Sequence, residues 1–177
     1  ELLSSKDKDG KTLLRLASEF GHLDLVKMFI KLDIRVDDAD YMGVMPLYTA
    51  CEYGNLEVVK WLLNNNADAN KAQIDGATPL FIACQEGNLE VVKCLLSSNV
   101  KADVNKADNH GMTPLAAACY NGRKEVVELL LQVDRVDTTL KDKDGDTAED
   151  CAMLGGFPDI AELIKRHETS LGIHAND

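Results

Sequence analysis

Four histidines, five cysteines and one run of alternating aspartates are the side chains of this chain most capable of chemistry. An enzyme needs such groups in a convergent set, with a nucleophile beside a base or an acid beside a base. The histidines His22, His110, His167 and His174 are dispersed, and no HExxH, GxSxG or phosphate-cradling glycine loop surrounds them. The cysteines Cys51, Cys84, Cys94, Cys119 and Cys151 form no CxxC pair, so a zinc site lacks its usual spacing. Their odd number and wide separation argue against a disulfide framework and favour a reducing, intracellular compartment, cytoplasmic or nuclear. Asp142, Asp144 and Asp146 alternate as at the start of a calcium loop. The sixth and twelfth places of that loop hold Thr147 and Met153 instead of Gly and Glu, so the segment reads as a loop tip. No catalytic residue, metal or cofactor is assigned.

The elements that would position a site must be built from aliphatic side chains. The 177 residues are 45% hydrophobic but only 5% aromatic, a composition for closely packed helices around Leu, Val, Ile and Ala. The net charge is −11, from 30 acidic and 19 basic residues. Such a chain is repelled by nucleic acid and by anionic membrane surfaces, and its field favours partners with basic patches. The same charge serves solubility equally well. No apolar run approaches the length of a membrane span, and the opening ELLSSKDKDG lacks the basic-then-apolar pattern of a secretory signal.

Internal repetition organises the chain. GVMPLYTACEYGNLEVVKWLL, GATPLFIACQEGNLEVVKCLL and GMTPLAAACYNGRKEVVELLL begin at Gly43, Gly76 and Gly111, with weaker copies from Gly10 and Gly145. The leading glycines lie 33, 33, 35 and 34 positions apart. Within a copy, Thr78 and Thr113 suit helix caps, and Pro79 and Pro114 suit first helical positions. They predict short helices over 79–86 and 114–121, each ended by a glycine able to take a left-handed turn. A second helix over 89–96 has Leu89, Val92, Leu95 and Leu96 on one face. Cys51, Cys84 and Cys119 follow Ala at one repeat position, which reads as a buried column of small residues.

A period of 33 with a TPL core resembles the ankyrin repeat, from Gly10 to about Lys165. The resemblance implies an all-α solenoid of stacked helix-turn-helix units joined by β-hairpin-like loops. Its repeats run over about 10–42, 43–75, 76–110, 111–144 and 145–167, with 1–9 as the end of a preceding repeat or a cap and 168–177 as a tail without helical pattern. Glu1, Leu2 and Leu3 read as the last turn of an earlier repeat's helix. Glu149 replaces the Leu of the other copies (Leu14, Leu47, Leu80, Leu115), as a terminal cap requires. The His that commonly follows TPL is replaced by Arg15, Tyr48, Phe81, Ala116 and Asp150, so loop stiffening must come from elsewhere or be weaker. Met45 replaces a capping Thr, at a cost of roughly 1 kcal/mol. Two extra residues within SSNVKADVNKADNHG should bulge from the loop or the back of the stack. Asn70 stands where asparagines of ankyrin proteins can be hydroxylated, but an Asn bonding loop backbone is the favoured reading.

The resemblance also implies a function: holding a protein or peptide partner along the loop tips and the first helices. The tip positions are Tyr41, Met42 and Val44; Ile74, Asp75 and Ala77; and Asn109, His110 and Met112. The first-helix ends supply Glu19 and Phe20, Glu52 and Tyr53, Gln85 and Glu86, and Tyr120 and Asn121. These vary while the framework stays fixed, and they mix aromatic anchors with acids suited to Arg or Lys on a partner. Trp61, on a second helix, reads as packing on the outer side. The array is expected to be monomeric. An alternative expectation is a targeting or substrate-recognition arm of a larger enzyme or effector.

Overall fold

The computed structural model describes residues 6–8, 10–97 and 99–172. Glu1, Leu2, Leu3 and His174 therefore lie outside the described residues. Among those described, ten helices stack in two rows without a sheet, and the one β-type pairing is an antiparallel bridge between Lys6 and Thr12. The first row is α1 (Leu13–Glu19), α3 (Pro46–Glu52), α5 (Pro79–Glu86), α7 (Pro114–Tyr120) and α9 (Ala148–Leu154). The second row is α2 (Leu23–Lys31), α4 (Leu56–Asn64), α6 (Leu89–Leu96), α8 (Lys124–Leu130) and α10 (Pro158–Ser170). Each first-row helix packs on its own second-row partner and on the next first-row helix. The expected all-α solenoid is observed.

Local chemistry starts each first-row helix. The hydroxyls of Thr12, Thr78, Thr113 and Thr147 accept from the N–H groups of Arg15, Phe81, Ala116 and Asp150. Each bond satisfies one donor that the first turn leaves free. Thr147 and Asp150 form a reciprocal capping box, and those bonds hold the Asp150 carboxyl below its usual range. Met45 makes no such bond, as its side chain predicts, but is almost wholly buried.

Stacking completes what one helix pair cannot. Leu14, Leu47, Leu80 and Leu115 form a buried file, and Val26, Val59, Val92 and Val127 form another. Burying each Leu contributes about 2 kcal/mol. Glu149 continues the leucine file half-buried, and burial raises its carboxyl pKa. Cys51, Cys84 and Cys119 are buried as the repeat spacing indicates, and burial pushes all three thiols well up.

Polar side chains tie one repeat to the next at both ends of the helix pairs. Asn55 Nδ2 donates to the carbonyls of Ser18 and Glu19 at 2.8 and 2.9 Å, and Asn88 Nδ2 repeats this on Cys51 and Glu52. Arg123 Nε takes the same role toward Gln85 O at 2.9 Å. All five carbonyls lie in the last turns of short helices, where the regular intrahelical partners run out. Gly54 shows how close the approach is: its φ is +70°, and a Cβ would stand 2.8 Å from Asn88 Oδ1.

Asn70 belongs to a second ladder. Its Nδ2 donates to Lys101 O at 3.1 Å, and its Oδ1 accepts from Asp103 N at 2.7 Å. Asn105 does the same with Arg135 O and Asp137 N. The two extra residues of the third connection lie between the end of α6 and Ala102, where Lys101 takes a φ of +58°. The loop regains register at buried Ala102, so the insertion does not reach the hairpin tip.

Two boundaries differ from the sequence reading. Asn121 is the cap of α7, and its Nδ2 closes on Ala117 O at 2.9 Å. The last helix continues past His167 to Ser170, so the first part of the expected tail is helical.

Candidate functional site

The hairpin tips at Gly43, Gly111 and Gly145 are each held by an aspartate three positions before the glycine. Asp40 Oδ1 accepts from Met42 N and Val44 N, both at 2.8 Å. Asp108 serves His110 N and Met112 N, and Asp142 serves Asp144 N and Asp146 N. This Asp-x-x-Gly spacing is readable in the sequence at Asp40, Asp108 and Asp142. In the third repeat Gln73 stands at that place, and Asp75 takes over by accepting from Ala77 N at 2.9 Å. Successive tips are joined by Ile74 N to Met42 O, Asn109 N to Asp75 O and Lys143 N to His110 O, at 3.2, 2.8 and 2.9 Å.

Tyr41, Met42, Ile74 and His110 stand exposed along this ribbon. Val44 and Ala77 do not: both are buried, because the chain turns inward immediately after each glycine to enter its helix. Met112 is half-buried against the core. Asp75 is exposed but already accepts from Ala77 N and Gln73 Nε2, and Asn109 spends its amide on Ile74 O. Gln73 also donates to Tyr48 Oη at 2.9 Å, so Tyr48 and Arg15, which stand in place of the His that commonly follows TPL, supply tip contacts.

Beside the ribbon lie the ends of the first-row helices. Phe20 is 65% exposed, Tyr53 56%, Tyr120 47% and Leu154 65%. Leu154 and its exposed neighbour Met153 escaped the sequence reading because the last copy departs most from the pattern. Glu19, Glu52 and Glu86 interleave with these apolar groups. Glu19 pairs with Lys11 at 3.2 Å, and Glu86 accepts from Gln85 Nε2 at 3.0 Å. Burial raises the Glu52 carboxyl, Arg15 partly opposes this, and Glu86 and Glu19 add to it.

A family model described as "Ankyrin repeats (3 copies)" matches residues 1–73, 69–142 and 101–176. The chain belongs to the ankyrin-repeat family. Ankyrin repeats generally act as protein–protein interaction modules and are typically non-catalytic. No curated protein matches the sequence.

In this ankyrin array the reactive side chains have structural surroundings. Asp142 Oδ1 is turned onto the backbone of its own tip, as Asp40 and Asp108 are in theirs. Among the described residues, no group of three or more His, Cys, Asp or Glu is placed to hold a metal ion. Burial lifts the Cys151 thiol to about 11, and Asp142, Asp146 and Asp150 reinforce the shift. Trp61 packs half-buried against the core with Lys27 Nζ 5.2 Å from its ring centroid. No described helix is long and apolar enough to cross a membrane.

Proposed function

We propose that this ankyrin array holds a protein segment carrying basic and apolar side chains, laid along its hairpin tips and the ends of its first-row helices. The carrying observation is that Phe20, Tyr53, Tyr120 and Leu154 stand exposed at the first-row helix ends of four of the five repeats, with Glu19, Glu52 and Glu86 at the helix ends of the first three. Aromatic anchors dominate binding energy where they are buried on association, and three of these four groups are aromatic or adjoin a carboxylate. Carboxylates beside them favour Arg or Lys, and the net charge of −11 steers such a segment inward. The tip ribbon and the asparagine ladders fix these groups before binding, which limits the ordering cost.

Selection from a displayed random peptide library tests this reading. Enriched sequences should combine Arg or Lys with aromatic or aliphatic residues. Tyr53→Ala and Tyr120→Ala should each weaken binding by about tenfold or more while the helical circular dichroism is unchanged. Enrichment of acidic sequences, or affinity indifferent to both substitutions, would reject it.

A further inference from the structure

One position of the repeat reaches from each first-row helix toward the next hairpin tip, and the four boundaries fill it differently. At the first, Arg15 Nη1 lies 3.1 Å from Asp40 Oδ2, and Arg15 Nε donates to Thr49 Oγ1 at 3.1 Å. At the second, Tyr48 Oη accepts from Gln73 Nε2 at 2.9 Å. At the third stands Phe81, a buried ring with no polar atom to offer Asp108. At the fourth stands Ala116, whose side chain ends at Cβ.

The acceptors that Arg15 uses recur at this fourth boundary. Asp142 precedes Gly145 by three positions as Asp40 precedes Gly43, and Cys151 follows Gly145 by six as Thr49 follows Gly43. Asp142 Oδ1 accepts from Asp144 N and Asp146 N at 3.0 and 2.9 Å, just as Asp40 Oδ1 organises its own tip. Asp40 has a guanidinium on its other oxygen. Among the described residues, no Lys or Arg forms an ion pair with Asp142, Asp146 or Asp150. These three carboxylates face a common point, since after burial itself they are what raises the Cys151 thiol. Lys141 and Lys143, on the same tip, stay exposed.

This place adjoins the helix ends already described. Ala116 and Tyr120 are four apart on α7, and Asp150 and Leu154 are four apart on α9, so each pair shares a helix face. The Asp142 tip lies at the opening end of that face, and exposed Tyr120 and Leu154 lie at its far end.

We infer that the boundary between the fourth and fifth repeats is the subsite for an arginine of the bound segment, which sets its guanidinium on Asp142 Oδ2 as Arg15 does on Asp40. The inference rests on the peptide-holding function proposed above and fixes where the basic residue of that peptide lies. The chain itself shows the fit, because it places a guanidinium on the equivalent acceptors one boundary after Gly10. Arginine suits the place better than lysine, because its planar fork meets Asp142 and a second carboxylate together. An apolar residue next to it then rests on Tyr120 and Leu154.

Peptides enriched from a displayed random library on the parent chain are remade with arginine replaced by citrulline, its neutral isostere, or by lysine. Each is titrated against the parent and against Asp142→Asn, whose Oδ1 still organises the tip. Citrulline should weaken binding to the parent by about tenfold or more, and to Asp142→Asn by about twofold or less. Lysine should fall between arginine and citrulline. Ala116→Arg supplies the guanidinium from within, at a position that elsewhere carries Arg15, Tyr48 and Phe81. It should lower the unfolding equilibrium constant by about tenfold relative to Ala116→Met, lose that advantage with Asp142→Asn, and shut out the arginine peptides. Equal citrulline losses in both chains, or equal stability of the two position-116 variants, would overturn the inference. Absence of any enriched peptide rejects the proposed function itself, whereas peptides whose arginine ignores Asp142 reject this subsite alone.

Discussion

Arg15 Nη1 lies 3.1 Å from Asp40 Oδ2, with side chains only 12% and 5% exposed, and so locks the first repeat to the tip of the second. Arg15 Nε also donates to Thr49 Oγ1 at 3.1 Å, while the other oxygen of Asp40 accepts two N–H groups of its tip. Removing one member leaves the other charge poorly solvated. Arg15→Ala should therefore cost about 2–3 kcal/mol in urea unfolding, and Asp40→Ala more, because the tip loses its organiser as well. Equal, sub-kilocalorie losses would show that the pair is solvated and idle.

Capping and burial oppose each other at position 45. A threonine would restore a cap worth about 1 kcal/mol, but Met45 is 1% exposed and its burial contributes about 2 kcal/mol. Met45→Thr should thus destabilise by about 1 kcal/mol, despite matching the repeat pattern better. Thr78→Ala should cost about 1 kcal/mol through loss of the bond to Phe81 N. Chemical unfolding of the two variants separates these terms.

Glu52 should make stability fall with rising pH. Its folded pKa is raised by burial, so the folded state holds the proton more tightly than the unfolded chain. That contribution is fully present below the unfolded value, about 4.3, and is lost as pH rises through the raised folded value. Glu52→Gln should accordingly be more stable than the parent at pH 7, with the advantage gone by about pH 4. An advantage that persists at low pH would assign the effect to packing rather than charge.

Thiol labelling should divide the cysteines. Burial raises all five thiols, but Cys94 is only half-buried, whereas Cys51, Cys84, Cys119 and Cys151 are buried. Alkylation read by mass spectrometry should modify Cys94 first, and the other four at the rate of repeat opening. Prompt labelling of Cys84 would contradict the buried column.

The amino-acid sequence alone determined the solenoid, because its signals are local and recur. Thr, Pro and Gly bound the helix Pro79–Glu86, and the apolar spacing sets Leu89–Leu96, at the limits observed. The cysteine column was legible for the same reason. Only the tertiary structure decided which repeat positions face outward. Val44 and Ala77 turned inward, Leu154 turned outward, and Arg15 found Asp40 across a repeat boundary. These depend on how each helix pair rotates onto the next, which many weak contacts set together and no short stretch of sequence encodes.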